Sequence, residues 1–449
     1  MSNGNLLPLF LLAVACDGGS ETDGTDSDTD TDTDTDSDTD TDTDTDTDTE
    51  PPTDGFANVL RDCPTDLGTI CPWAGAGYSG FNGDQSDPLE LWFSFPMDVE
   101  ISPYGDPAIA DWNNHRIRVL EGYTTPGTGA IRTIMGGALP GDGDPTHADL
   151  TDVGAIGTDV LLNHPTQHQY APDGTLWSAS WHTHKLRSWD PATDLVRVEL
   201  GLLPGYFPVD SAGPVATAGT KLNQPKSLHL MNNGDIFIND MRNERLRLWH
   251  RADGTIETIV GNGSKGYSGD GGPALLASIN LPNSTNPEPG GAFVFTADES
   301  TMYFADSLNN CIRVVDLINR TIDHLSGLCD VVGDDALGAA TDARYNYPVD
   351  LALDEATSQL FVADANNSAV KVIDLTTGMV SRFAGTGVPT CDSGYGVAVP
   401  TTCDEQHTGG DGGPAASATL YRPFGVELDL DNNLVIADTN NNRFRVVYR

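Results

Sequence analysis

The sequence predicts an all-β fold: a six-bladed β-propeller of four-stranded antiparallel blades, with its ring closed by an N-terminal strand. Three observations support this prediction. One unit, clearest at residues 424–447, occurs six times at intervals of 58 to 74 residues; its second strand ends at Asp in five copies; and glycine-rich loops follow the fourth strands. A unit recurring at such a period is typical of a solenoid or a propeller.

The six units align on the residue that ends the second strand. These residues are Asp111, Ser180, Asp240, Asp306, Asp364 and Asp438. Seven residues later every unit has a basic residue, and three residues later five units have Asn while the second has Thr183. Asp and Asn side chains hydrogen-bond nearby backbone and hold tight turns. With a fourth strand such as residues 254–260, each unit has the composition of one propeller blade.

Glycine-rich loops separate the blades, and residues 261–274 are the clearest example. Gly261, Gly263 and Gly266 fit the spacing Gly-x-Gly-x-x-Gly, but that fingerprint requires a helix and a βαβ unit around it. The sequence offers neither, so we interpret the glycines as residues that adopt positive φ.

These motifs resemble the NHL-repeat family of six-bladed propellers. The residues that carry the resemblance are Pro423-x-Gly425-Val426, Ala437-Asp438-x-x-Asn441-x-Arg443 and Gly269-Asp270-Gly271-Gly272-Pro273-Ala274. The resemblance covers roughly residues 69–449 and implies the fold. Such propellers include protein- and RNA-binding modules, a zinc-dependent lyase and calcium-dependent lactonases, so the resemblance does not choose a function.

The N-terminus predicts export. Residues 6–14 form an apolar run, which is too short to span a bilayer and suits a signal peptide. The sequence Ala13-Val14-Ala15-Cys16 resembles a bacterial lipobox, which implies lipidation of Cys16 after cleavage, although residues 1–5 contain no Lys or Arg. We therefore expect a signal peptide with lipobox at 1–16 and localisation in the cell envelope or on the outer surface, with the lipid anchor as the only membrane contact.

Residues 17–54 form an acidic Thr/Asp-rich segment with 17 acidic residues and no basic one. It has too little apolar surface to fold, so we predict a disordered spacer ahead of a propeller domain at 55–449. The rest of the chain has 49 acidic against 23 basic residues, a net charge of −26. This charge argues against nucleic acid and against direct contact with an anionic bilayer.

Six cysteines remain after Cys16, an even number that favours disulfides in an exported protein. Proximity along the chain predicts three local pairs: Cys63–Cys71, Cys311–Cys329 and Cys391–Cys403. Residues 69–73 have the character of a fourth strand without a preceding three, and the last unit, 423–449, lacks a fourth strand. We expect these two segments to complete one blade, because an open arc would leave two strand edges exposed.

The side of the ring that carries the turns after the second strands and the loops after the fourth strands is called the loop face. We place candidate ligands there, around the channel mouth. Asp98, Asp350 and Glu427 on first strands could bind Ca²⁺, which prefers oxygen ligands, or could be merely solvated. His164, His168, His182 and His184 in the second unit could bind Zn²⁺. Alternatively, His164 and His184 are turn residues and His168 is a buried hydrogen-bonding partner.

We find no Gly-x-Ser-x-Gly and no His-Glu-x-x-His motif, so enzymatic activity stays undecided and is the less favoured interpretation. The leading hypothesis is an exported, lipid-anchored propeller, expected to be a monomer. It would act as a surface binding module for a protein or glycan ligand on the loop face. The alternative is a metal-dependent lyase or lactonase-like hydrolase, using Ca²⁺ or Zn²⁺, with its site at the channel mouth.

Overall fold

The computed structural model of the chain describes residues 63–85, 87–201, 204–206, 214–282, 288–334, 338–387 and 409–449. All of these residues lie within one compact unit, Asp54–Arg449. The predicted signal peptide, Cys16, the acidic spacer and the Cys391–Cys403 pair lie outside the described residues. Among the described residues, no helix has the length and apolarity needed to cross a bilayer.

The predicted six-bladed propeller is confirmed, because six antiparallel sheets are formed in chain order. We number the blades by their first strands and give the four strands of each from the inside outwards. Blade 1 contains Pro96–Ile101, Pro107–Asp111, Arg116–Glu121 and Ala130–Gly136; blade 2 contains Pro165–Tyr170, Leu176–Ser180, Lys185–Asp190 and Leu195–Leu200; blade 3 contains Pro225–Leu230, Ile236–Asp240, Arg245–His250 and Thr255–Val260; blade 4 contains Phe293–Phe295, Thr301–Asp306, Cys311–Asp316 and Thr321–Ser326; blade 5 contains Pro348–Asp354, Gln359–Asp364, Ala369–Asp374 and Met379–Ala384; blade 6 contains Gly425–Leu428, Leu434–Asp438, Arg443–Val447 and Thr69–Ala74.

The structure adds a short fifth strand to five blades. Each is a two-residue segment of a glycine-rich loop that pairs with the fourth strand of the next blade along the chain. These segments are Ala155–Ile156, Val215–Ala216, Gly272–Pro273, Gly338–Ala339 and Gly413–Pro414. They cover most of the outer edge strands, whose free N–H and C=O groups would otherwise be open to pairing with other chains.

Short 3₁₀ helices make up the remaining regular structure of the described residues. They are Pro88–Glu90, Trp112–Asn114, Ala148–Leu150, Gly157–Asp159, Trp181–Thr183, Met241–Asn243, Ala274–Leu276, Ser307–Asn309, Ala340–Asp342, Ala365–Asn367, Ala415–Ser417 and Thr439–Asn441.

The predicted closure of the ring is confirmed in blade 6. Thr69–Ala74 runs antiparallel to Arg443–Val447, with Cys71 opposite Val446. Two predicted disulfides are also present, Cys63–Cys71 beside this strand and Cys311–Cys329 in blade 4. The first strands of neighbouring blades contact one another around the axis.

The aligned Asp residues of five blades have a structural role. In blade 4, fully buried Asp306 accepts hydrogen bonds from the Asn280 backbone N–H (2.8 Å) and from Nδ2 of Asn309 (2.8 Å), and lies 3.5 Å from the Arg313 guanidinium. Asp111, Asp240, Asp364 and Asp438 make the corresponding contacts. Each Asp thus ties a turn, a third strand and the loop before a first strand together.

In blade 2, other residues supply the carboxylates that pair with the buried arginine. Ser180 replaces the Asp, yet Arg187 is still fully buried. Its guanidinium instead contacts Asp142 (3.0 Å) and Asp149 (3.8 Å), both in the preceding loop, and donates to Oγ1 of Thr183 (2.6 Å). The loop therefore supplies the carboxylates that the strand lacks, which a buried guanidinium requires.

A glycine with positive φ stands at the end of every fourth strand, as the sequence predicts. The six are Gly75, Gly136, Gly201, Gly261, Gly327 and Gly385. At Gly136, an added Cβ would lie only 2.1 Å from the His115 carbonyl oxygen. The chain therefore needs glycine there for both backbone conformation and space.

We expect Gly136→Ala to lower the free energy of unfolding by about 3 kcal/mol, because positive φ and overlap with a backbone oxygen are both unfavourable. Gly234→Ala is the matched control, since φ is also positive there (+88°) but no atom lies within 4 Å of the added Cβ. Gly234→Ala should lower the free energy of unfolding by only about 1 kcal/mol. Urea unfolding measures both, and equal costs would contradict the role of the backbone contact.

Candidate functional site

Polar side chains on the first strands hold neighbouring blades together around the axis. Oδ2 of Asp98 accepts the His168 backbone N–H (3.0 Å), and Oδ2 of Asp350 accepts that of Val426 (3.0 Å). Oε1 of Gln167 accepts the Leu228 N–H in the same way (3.2 Å). These acceptors serve backbone donors on the inner strand edges, so two of the three carboxylates predicted as calcium ligands have a structural use.

Four carboxyls nevertheless cluster in this wall: Asp98, Asp350, Glu100 and Glu427. Asp98 and Asp350 are buried, whereas the two Glu side chains are partly exposed. Burial raises the pKa of both Asp98 and Asp350 from 3.8 to about 6, against the opposing charge of Lys226. Burial and the neighbouring carboxyls also hold the pKa of Glu100 and Glu427 well above the usual range. The channel wall therefore retains protons at mildly acidic pH.

Buried apolar side chains pack at the loop-face end of the inner strands in blades 1, 2, 3 and 6. Met97, Trp112, Trp181, Met241 and Phe424 come from four blades, are at most 9% exposed and belong to one continuous hydrophobic cluster. Side chains around an open channel mouth would be exposed, so these five buried side chains do not line one. Polar access to the axis is on the opposite side, where Glu100 and Glu427 retain exposure.

The structure brings two of the four candidate histidines, His164 and His182, into contact and places His168 in the channel wall. Nδ1 of His164 lies 2.9 Å from Nδ1 of His182, and the two rings pack against Trp112 and Trp181 respectively. His168 lies in the channel wall, with Nδ1 3.1 Å from Oδ2 of Asp98. Burial lowers the pKa of His164 to about 3 and of His168 to about 4, so both are neutral at pH 7.

The side chain at the position of His184 makes the same kind of hydrogen bond in all six blades. Its Nδ1 accepts the Gln224 backbone N–H of the next blade (3.0 Å). The equivalent side chains also accept a backbone N–H from the next blade, and they belong to His115, Glu244, Asn310, Ser368 and Asn442. Within the residues that the structure describes, no three His, Cys, Asp or Glu side chains are arranged to hold a metal ion.

The loop face carries an exposed apolar patch in blade 4. Leu308, Leu328, Val331 and Val332 are 37%, 37%, 40% and 52% exposed. The Cys311–Cys329 disulfide and a hydrogen bond from the Asp330 N–H to the Asn309 carbonyl (2.7 Å) fix this segment to the blade. We call these four residues the blade 4 patch.

A cavity of about 670 Å³ lies on the opposite side of the ring, between blades 1 and 6. This side carries the turns after the first and third strands, and we call it the turn face. The cavity is lined by the turns at residues 101–105 and 429–433, by residues 123–128 and by the Cys63–Cys71 region. Our sequence reasoning placed ligands on the loop face and missed it. Residues 122–129 form an eight-residue turn where blades 2 to 5 have four, and counting turn lengths would have revealed this signal.

Comparison with known proteins supports the NHL-repeat resemblance. No family model matches the chain. NHL repeat-containing protein 2 of Bos taurus is 26% identical over 304 residues, which is 61% of this chain and 38% of that protein. Protein SUPPRESSOR OF QUENCHING 1, chloroplastic, of Arabidopsis thaliana is 29% identical over 181 residues, 39% of this chain and 16% of that protein. The chain thus spans less than half the length of these relatives.

Solved structures share the fold. A protein of unknown function from Bacteroides thetaiotaomicron superposes with a TM-score of 0.55 at 14% identity, covering 84% of this chain and 75% of that one. An auxiliary nutrient binding protein from Bacteroides ovatus gives a TM-score of 0.53 at 12% identity, covering 85% and 76%. At such identities the similarity concerns the fold alone.

Proposed function

We propose that this chain is an exported propeller, anchored through a lipid on Cys16, that acts as a binding module at the cell surface. Its ligand, a protein or a glycan, engages the loop face. The observation that carries this proposal is the blade 4 patch: three exposed apolar side chains on the segment that holds Cys329, and Leu308 on the turn to which a backbone hydrogen bond joins that segment. Apolar side chains exposed side by side on a soluble domain are typical of interaction sites.

A protein ligand suits this patch better than a glycan, because the patch presents aliphatic carbon rather than hydrogen-bonding groups. The acidic spacer at 17–54 would hold the propeller away from the membrane and leave the loop face accessible. The net charge of −26 outside that spacer favours a ligand other than nucleic acid. We propose that the propeller works as a monomer, since short fifth strands cover the outer edges of five blades.

The alternative function, a metal-dependent lyase or lactonase-like hydrolase, draws its support from the four carboxyls around the axis. It has less support than the binding module for two reasons. Asp98 and Asp350 already accept backbone N–H groups, and buried apolar side chains of four blades pack at the loop-face end of the inner strands.

Photo-crosslinking in the cells that make the protein tests the proposed function. A crosslinking amino acid at Val332, in the blade 4 patch, is expected to give one discrete adduct with a second protein. The matched control is Ile318, which is 77% exposed. It lies in the turn after the third strand of the same blade, on the turn face. Cys16→Ser should move the protein out of the membrane fraction and remove incorporation of a labelled fatty acid. Equal adducts from both positions, or none at Val332, would overturn the loop-face ligand; membrane retention of Cys16→Ser would overturn the anchor.

A further inference from the structure

The cavity between blades 1 and 6 arises from two departures from the repeat. The turn after the third strand has four residues in blades 2 to 5, at 191–194, 251–254, 317–320 and 375–378, and eight residues, 122–129, in blade 1. Blade 6 has no such turn, because its fourth strand comes from the N-terminal segment. The four extra residues of blade 1 thus face the Cys63–Cys71 region and Tyr448 of blade 6 across the cavity.

The cavity wall is formed in advance of any ligand. Oγ1 of Thr128 accepts the N–H groups of Thr124 and Thr125 (both 3.0 Å), so the long turn is held by its own hydrogen bonds. The Gly127 N–H donates to the Trp73 carbonyl of blade 6 (3.3 Å), and the Trp73 indole N–H donates to the Tyr123 hydroxyl (2.8 Å). A rigid site loses little conformational entropy on binding.

The lining has a consistent chemistry. Tyr123 and Tyr448 line the cavity together with Asp429 and Asp431. Tyr104 lies at the rim, with its ring beside Gly174 of blade 2. The described lining contains no Lys, Arg or His. Tyr104 is 76% exposed and Asp431 is also exposed, so both are accessible from solvent at the rim.

The negative charge reaches the interior of the cavity. Burial raises the pKa of Tyr448, and the Asp429 carboxylate raises it further. Burial also raises the pKa of Tyr123, with Asp429, Tyr448 and Asp431 adding to the rise. A positive charge placed among these rings would be stabilised by the same carboxylates.

We propose that this cavity binds a small organic cation, an ammonium group that carries apolar carbon. The aromatic faces would contact the cation as in quaternary ammonium recognition, and Asp429 and Asp431 would supply the opposite charge. The volume of about 670 Å³ lies in the range of small-molecule sites. This site is on the opposite side of the ring from the blade 4 patch and goes beyond the proposed function. The acidic spacer of the chain is a poor occupant, because its 17 acidic residues would be repelled.

Titration calorimetry with choline on the full-length protein tests this inference. The control ligand is 3,3-dimethyl-1-butanol, which has the same shape without the charge, and glucose tests for a sugar site instead. We expect choline to bind and the neutral alcohol to bind at least about tenfold more weakly. Raising the salt concentration from about 0.01 M to about 1 M, which shortens the Debye length from about 30 Å to about 3 Å, should weaken choline binding.

Asp431→Asn and Tyr448→Leu are each expected to weaken choline binding about fivefold to tenfold. Asp298→Asn is the matched control, since Asp298 occupies the equivalent exposed position in the turn after the first strand of blade 4, away from the cavity lining, and its substitution should leave affinity unchanged. Equal binding of choline and the alcohol, binding of glucose only, or no binding of choline would each overturn the inference. Because the crosslinking at Val332 concerns the other face, its outcome is independent of this one.

Discussion

Asp306→Ala should lower the free energy of unfolding by about 3–5 kcal/mol, which is the cost of removing one partner of a buried ion pair. Asp306 is fully buried and satisfies the Asn280 N–H, the Asn309 side chain and the Arg313 guanidinium. After the substitution, Arg313 retains Asp270 (2.6 Å), but the two amide donors lose their acceptor. Urea unfolding followed by tryptophan fluorescence measures the change.

Ser180→Ala is the internal control for this prediction. Ser180 occupies the same position in blade 2, is 1% exposed, and its hydroxyl has no hydrogen-bond partner among the described residues. Because Arg187 obtains its carboxylates from Asp142 and Asp149 instead, the substitution should cost less than about 1 kcal/mol. A cost for Asp306→Ala as small as this would show that the aligned Asp is not a structural tie.

The second large predicted effect is on how the free energy of unfolding depends on pH. Relative to an Asp98→Asn/Asp350→Asn variant, the wild type should lose about 4 kcal/mol of stability between about pH 4.5 and pH 8. Both pKa values rise from 3.8 to about 6 on folding. The folded chain therefore binds these two protons more tightly than the unfolded chain, and stability falls as the pH rises through this window. The variant keeps an amide oxygen for the backbone donors, and taking the difference cancels the contribution of the buried histidines that do not contact Asp98, such as His164.

Asp173→Asn should follow the wild type across the same pH range, because hydrogen bonds from Thr175 lower the pKa of this exposed carboxyl. A flat difference between the wild type and the double variant would contradict the prediction. Adding Ca²⁺ or Zn²⁺ at pH 8 distinguishes the two functions considered above. A scaffold should be unaffected, whereas a gain in stability confined to the wild type would favour the metal-dependent enzyme.

The repeat made most of the fold predictable, because the sequence of each unit could be aligned with the sequences of the other five. Aligning on Asp438 located every second strand, and the missing fourth strand after residue 447 led directly to the closure by residues 69–74. The two local disulfides followed from proximity in one hairpin and one N-terminal segment. Such inferences depend on contacts within a blade, which sequence order fixes.

The candidate site was less predictable, because it depends on contacts between blades. The His168 N–H donates a hydrogen bond to Asp98, and this bond joins the first strands of two blades, which become neighbours only when the propeller forms. The wall of the turn-face cavity likewise combines the first turn of blade 6 with the third turn of blade 1. Residue types alone suggested metal ligands at Asp98 and His184, where the structure shows acceptors for the backbone of the next blade.

Ring closure by the two ends of the chain also governs how the protein is made. Ile70 pairs with Val447, a partner 377 positions later in the sequence. Contacts of such long range form slowly, since loop closure has to precede them. Thr69–Ala74, the first strand of the propeller to be synthesised, therefore cannot pair until Arg443–Val447, the last strand, has been made. A chain in this state has an unfinished sixth blade and an open ring until residues 443–447 have been made.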